Sequence, residues 1–132
     1  MDRLFLDANV LFSAAYRKDS GLLRLWKVSA ATLYSSPYAL EEARTNLSDD
    51  AQRERLIHLS TNLELFDAAV LRLPDGISLP EKDKPIMLAA IEAQATHLLT
   101  GDLRHFGSYF GKRIAGILIM PPGDYLRSRI SR

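Results

Sequence analysis

The sequence has no cysteine and only one tryptophan in 132 residues. Without thiols there is no disulfide, no thiolate metal centre and no cysteine nucleophile, and the composition suits a reducing cytosol. No apolar run approaches the roughly 20 residues of a membrane-spanning helix. The opening stretch MDRLFLDANV carries acids among its apolar residues, which is not the pattern of a secretory leader, so a cytoplasmic location is expected. Neither sign of charge dominates: the formal net charge is +1, which points neither toward a nucleic acid nor away from one. The one local excess is the tail Arg127-Ser128-Arg129-Ile130-Ser131-Arg132. It is suited to meeting phosphates through counterion release, or equally to serving as a solvated end.

What is present is ordinary for a globular chain: 47% hydrophobic and 25% charged residues, with a length that fits one domain over residues 1–132. There is no internal repeat, low-complexity segment or linker. Short β-like runs alternate with helical stretches. Strands are expected at Arg3–Leu6, Thr32–Ser35, Ala69–Leu73, His97–Thr100 and Ile114–Met120. Helices are expected at Val10–Tyr16, Leu22–Ser29 and Pro37–Leu47, from Ser48 to about Leu65, from Asp83 through Ala95, and at Leu103–Phe110 and Asp124–Arg129. Ser36-Pro37 reads as a cap followed by a first-turn proline. Pro74-Asp75-Gly76 and Pro121-Pro122-Gly123 read as terminators. The alternation predicts an α/β fold with a parallel sheet of about five strands, covered on both faces as a three-layer α/β/α sandwich. Runs such as His97-Leu98-Leu99 and Ile117-Leu118-Ile119 suit strands buried on both sides. In such sheets ligands bind beyond the carboxyl ends of the strands, where strand order reverses.

Acids stand at those places. Asp7 follows the first strand and Asp102 the fourth, so the two face each other if these strands are neighbours. Asp83 opens the helix leading into the fourth strand. Glu42 lies on the helix after the second, pointing away from the stripe of Leu40, Ala43 and Leu47. Carboxylates gathered in one pocket repel each other and raise each other's pKa, a penalty that a divalent cation removes. Magnesium and manganese take oxygen ligands, lower the pKa of bound water and stabilise charge on a phosphoryl group. The chemistry that follows is in-line attack of activated water on a phosphodiester. Each acid also has a purely structural reading: Asp7 as a turn cap, Asp83 and Asp102 as helix caps, and Glu42 as a surface residue that periodicity does not separate from Glu41.

The motifs resemble those of the PIN domain family, whose bacterial members include VapC-type toxins of toxin–antitoxin pairs. Leu6-Asp7-Ala8-Asn9-Val10 is similar to the family's opening, and Ser36-Pro37-Tyr38-Ala39-Leu40-Glu41-Glu42 to its second motif, which puts the family's acid on Glu42. Asp83 with Lys84-Pro85-Ile86 is similar to the third, Leu99-Thr100-Gly101-Asp102 to the fourth, and Met120-Pro121-Pro122 with Tyr125-Leu126 to the closing segment. The resemblance implies an α/β/α sandwich and cleavage of single-stranded or structured RNA that depends on magnesium or manganese. It implies that Asp7, Glu42, Asp83 and Asp102 bind metal and activate water, with Asn9 and Thr100 as supporting polar groups. For those two the structural readings are a helix cap and a buried strand-end hydroxyl. It further implies a cognate antitoxin and a homodimer, for which Leu22–Val28 and Leu56–Leu65 offer apolar surface or else core.

One position departs from the family pattern. Where many relatives carry a further aspartate, this chain has Arg104 in Asp102-Leu103-Arg104-His105-Phe106, so one well-held metal is expected rather than two. Arg104 is a candidate for an RNA phosphate or for pairing with the acids. His105 reads as a structural or solvent-facing residue rather than a general base. Two other functions compete: a PIN-like module that holds RNA or protein without cutting, and a receiver-type magnesium-binding signalling domain. The receiver would need a phosphoacceptor after the third strand and a lysine after the fifth, and Met120-Pro121-Pro122 supplies no lysine.

Overall fold

The computed structural model describes residues 1–68 and 72–130. Its centre is β1 (Asp2–Leu6), whose Leu4, Phe5 and Leu6 are wholly buried. Three successive apolar residues can all be buried only in a strand covered on both faces. The chain continues through α1 (Ala8–Tyr16), a 3-10 segment (Gly21–Lys27), β2 (Ala31–Ser35), α2 (Pro37–Asn46), α3 (Asp50–Ser60) and β3 (Leu63–Leu65). After a short 3-10 turn (Glu81–Asp83) come α4 (Lys84–Glu92), β4 (His97–Leu99), α5 (Leu103–Phe106) with a 3-10 turn (Gly107–Tyr109), β5 (Arg113–Ile114), β6 (Ile117–Met120) and α6 (Pro122–Ile130). Among the described residues no helix is long and apolar enough to cross a membrane.

The sheet runs β3-β2-β1-β4-β6-β5, parallel throughout except where β5 meets β6. The chain winds one way from β1 to β3, then jumps back past β1 to β4. Right-handed crossovers in opposite directions place their helices on opposite faces, which gives the expected α/β/α layers. The reversal falls between β1 and β4, so the loops leaving these strands diverge and open a crevice at their carboxyl ends. The first and fourth strands are neighbours, as the acid pair required, with Leu4, Phe5 and Leu6 in register with His97, Leu98 and Leu99. This order is not the 2-1-3-4-5 of flavodoxin-like receivers, and the signalling reading falls with it.

Local chemistry sets the helix limits. Ser36 caps α2 through Ala39 N at 3.1 Å, with Pro37 in the first turn. Asp49 and Gln52 form a capping box at the start of α3. Arg3 donates from Nε to Gln94 O at 3.0 Å and from Nη2 to Ala93 O, which satisfies carbonyls at the end of α4 and ties that helix to β1.

Four expectations need correction. The third strand is Leu63–Leu65, not Ala69–Leu73; residues 69–71 lie outside the described residues, and 72–73 are not in a strand. The helix expected to reach Leu65 ends at Ser60, because Ser60 Oγ and Thr61 Oγ1 donate to Ile57 O and His58 O and close off the last turn. The run Ile114–Met120 is two strands, which makes six among the described residues. Ala115 (φ 52°) and Gly116 (φ 82°) form a two-residue reversal of the kind that joins antiparallel strands. Leu22–Ser29 winds as 3-10 rather than α-helix.

The apolar stretches weighed as interface divide between core and surface. Leu25, Leu56, Leu59 and Leu63 are buried, whereas Ile57 and Leu65 are exposed. The basic tail is partly neutralised: Arg127 pairs with Asp124 and Arg129 lies 3.5 Å from Asp2, while residues 131–132 lie outside the described residues.

Candidate metal centre

The crevice between β1 and β4 is a cleft of about 510 Å³ whose lining includes Asp7, Asn9, Glu42, Asn46, Lys82, Asp83 and Asp102. All four acids singled out from the sequence therefore meet in one place. β1 delivers Asp7 directly, since its first residue past the strand is also the N-cap of α1. Asp7 Oδ1 accepts from Ala8 N at 2.7 Å, while Oδ2 accepts from Thr100 Oγ1 at 2.8 Å and Asn9 Nδ2 at 3.1 Å. Burial is the main reason its carboxyl is pushed up from 3.8 to about 6. The bonds from Thr100 and Ala8 oppose that rise, and the charges of Asp83 and Glu42 add to it.

Thr100 follows β4 and is fully buried. Its hydroxyl gives its one proton to Asp7 and accepts from Asn9 Nδ2 at 3.2 Å and Asp102 N at 3.1 Å, so all its hydrogen-bonding capacity is used. Asn9 is not a helix cap. Its Oδ1 accepts from Gly101 N at 2.8 Å, so the amide spans from α1 to the loop after β4. Together Asn9 and Thr100 fix Asp7 to the backbone that carries Asp102.

Asp102 caps α5 by accepting from His105 N at 3.0 Å. Asp83 occupies the N-cap position of α4 but makes no side-chain cap bond, although it is buried. Burial raises its pKa most, the charge of Asp102 adds to that, and His105 and Lys82 pull the other way. Glu42 and Glu41, inseparable by periodicity, are separated by position. Glu41 is held on the surface by Arg44 at 2.6 Å, while Glu42 lines the cleft with a carboxylate that makes no hydrogen bond or ion pair among the described residues. Tyr38, one turn before Glu42, donates to Lys82 O at 2.8 Å and draws α2 toward the Asp83 segment. Its phenol is raised by burial and then by the charges of Glu42, Asp83 and Asp7, a sign of the negative field there.

Sequence reasoning missed three cleft features. Lys82 brings a cation into the lining, and Asn46 brings an amide from the end of α2. His105 is not solvent-facing: its side chain is 22% exposed, and Nδ1 lies 2.8 Å from Asp83 Oδ2 and 2.9 Å from Asp102 Oδ2. The available signal was the three-residue spacing from Asp102, which returns a helical side chain to the face of its own cap. Arg104 is exposed and makes no ion pair among the described residues, so its pairing with the acids is not seen.

The donor set fits a hard divalent cation. Four carboxylates share a cleft whose lining includes Lys82, His105 stands against two of them, and Asp83 Oδ2 is buried without a hydrogen-bond partner. Such a carboxylate is expensive to ionise unless a cation compensates it.

Comparison with known proteins gives a family and a fold. A family model described as "PIN domain" matches residues 3–104. Among solved structures, the chain is similar to one of VapBC2 from Rickettsia felis bound to a DNA fragment from their promoter. The TM-score is 0.68 at 17% identity, over 90% of this chain and 98% of that one. At that identity the likeness is one of fold. No curated protein matches by sequence.

Proposed function

The chain belongs to the PIN domain family, and from that premise we propose that it is a metal-dependent endoribonuclease, the toxin of a toxin–antitoxin pair. The observation that carries this reading is the meeting of Asp7, Glu42, Asp83 and Asp102 in one cleft at the switch point of the sheet. In this reading the four carboxylates hold magnesium or manganese. When bound, such an ion acidifies water and neutralises charge on the phosphoryl group.

The chain's own residues do the positioning. Thr100 and Asn9 hold Asp7 Oδ2 in a single orientation, so the carboxylate presents itself without reorganising. Lys82, also in the lining, offers a cation to the phosphate. Arg104, exposed just past Asp102, is placed to meet a neighbouring phosphate along the strand. The likeness to VapBC2 supports an antitoxin partner, and the exposed Ile57 and Leu65 suit a homodimer contact. Residues 1–132 act as one nuclease domain in the cytoplasm.

The test is direct. Purified protein is expected to cleave RNA with magnesium or manganese and to stop on addition of EDTA or on the change Asp7→Asn. Cleavage that survives both would refute the reading. RNA binding without cleavage under any divalent ion would leave a non-cutting PIN-like module in its place.

A further inference from the structure

We propose that His105 is a nitrogen ligand to the divalent cation of this cleft, beside Asp83 and Asp102, and that it biases the site toward first-row transition ions over magnesium. This deepens the metal reading above and rests on it.

Three observations converge. First, His105 Nδ1, Asp83 and Asp102 each offer a ligand atom, and the three atoms lie within 4.8 Å of one another. Nδ1 is 2.8 Å from one carboxylate oxygen and 2.9 Å from the other. An octahedral ion with ligands at about 2.1 Å holds neighbouring ligand atoms about 3 Å apart, which is this spacing. Second, these short approaches are ion-pair contacts of a histidine with two carboxylates. Nδ1 and Asp83 Oδ2 are both buried, and neither has a partner in hydrogen-bonding geometry. A hydrogen bond needs its N–H aimed at an oxygen, and the alignment of Nδ1 is poor for both. Electron-pair donors that face a common cation have no such requirement. Third, the placement is rigid. Asp102 Oδ1 holds His105 N at 3.0 Å, Phe106 beside it is fully buried, and Asp83 is 6% exposed.

The consequence is selectivity. Magnesium favours an all-oxygen shell with several waters, whereas an imidazole nitrogen strengthens binding along the first-row series from manganese onward. An all-carboxylate cleft discriminates less. His105 stands next to Arg104, which replaces a further acid, so here a nitrogen donor enters where an oxygen is missing.

Manganese(II) is the probe, because pulsed electron paramagnetic resonance detects a directly coordinated nitrogen. The protein loaded with Mn2+ is expected to show 14N modulation from one imidazole, and His105→Gln to lose it. Competition titration is expected to show tighter binding of Mn2+ than of Mg2+ by about tenfold or more, a preference that falls about tenfold in the variant. The wild-type spectrum needs no variant to fold. Mn2+ bound without 14N modulation would overturn the proposal and leave the ribonuclease reading standing, with His105 reduced to a positioning residue. Absence of binding by either ion at millimolar concentration would overturn both.

Discussion

Replacing Asp7 with asparagine is expected to stabilise the metal-free protein at neutral pH and destabilise it in acid. Asp7 is 4% exposed, and burial lifts its carboxyl from 3.8 to about 6. Its folded pKa thus lies above its unfolded one. Between about pH 4 and 6 the native state keeps a proton that the unfolded chain has released, so stability falls as pH rises through this window and levels off above it. At 1.36 kcal/mol per pH unit, keeping Asp7 ionised costs the fold about 3 kcal/mol at pH 7. Asparagine removes that cost. Its carbonyl oxygen still accepts from Thr100 Oγ1 and Asn9 Nδ2, but its amide turns a donor toward Ala8 N, whose acceptor at 2.7 Å is lost. Losing that cap bond costs about 1 kcal/mol.

The variant should therefore be more stable by about 2 kcal/mol at pH 7 and less stable by about 1 kcal/mol near pH 4. Urea denaturation in EDTA across pH 4–8 measures this. Trp26 is the reporter: it is the sole tryptophan, and its Nε1 donates to Leu59 O at 3.0 Å at the end of α3. Taking the difference between wild type and variant cancels the titration of distant groups. A difference that does not change with pH, or an Asp7→Asn protein that is weaker at pH 7, would refute the reasoning. Magnesium should reverse the ranking, because the cation compensates the charge that the variant lacks, with stabilisation growing as the ion exceeds its Kd.

Thr100→Val keeps the shape but removes the donor to Asp7 and the acceptor for Asn9 and Asp102 N; it is expected to cost roughly 2–3 kcal/mol by denaturation and to raise Asp7 further, while Thr100→Ser stays within about 1 kcal/mol. Glu42→Gln should lower RNA cleavage roughly 100-fold or more, whereas Glu41→Gln, which touches only the surface pair with Arg44, should leave turnover and melting temperature near wild type. Equal losses in the two would dissolve the assignment of Glu42. Arg104→Ala should weaken RNA binding and reduce its salt dependence by about one phosphate, with stability unchanged; no shift in affinity or slope would remove Arg104 from the RNA path.

The central fold was legible because buried parallel strands announce themselves. Leu4-Phe5-Leu6 and Leu98-Leu99 have no polar face to turn to water, and their neighbours' helices carry recognisable caps. The sheet edges were not legible, since their strands are short and lack that signature. β3 is three residues taken from what reads as a continuous helix, and only Ser60, Thr61 and Asn62 hint at the break. The β5–β6 hairpin turns on Ala115-Gly116, where alanine takes a left-handed conformation usually left to asparagine or glycine, so the usual turn signal is absent. The choice of Glu42 over Glu41 came from the family's second motif and not from periodicity, and the structure adds a physical reason. That reason is that Arg44 reaches Glu41 across one helical turn, which a wheel drawn from apolar residues alone does not encode.

The structural and functional readings of the aspartates were never true alternatives. In a parallel α/β sheet the carboxyl end of a strand is the start of the next helix, so a residue placed to face the crevice is also placed to cap. Asp7 divides its carboxylate accordingly, with Oδ1 on Ala8 N and Oδ2 in the network of Thr100 and Asn9. Asp102 does the same, with Oδ1 on His105 N and Oδ2 toward His105 Nδ1. A cap needs one oxygen, and the second is left for the site. Asp83 breaks the pattern in the informative direction. It stands at the N-cap position of α4, makes no cap bond, and buries Oδ2 without a hydrogen-bond partner. The structural account that competed best for it from sequence is the one its geometry withdraws. A carboxylate that makes no cap bond in its own helix, that burial and Asp102 make harder to ionise, and that His105 and Lys82 oppose, is suited to a cation.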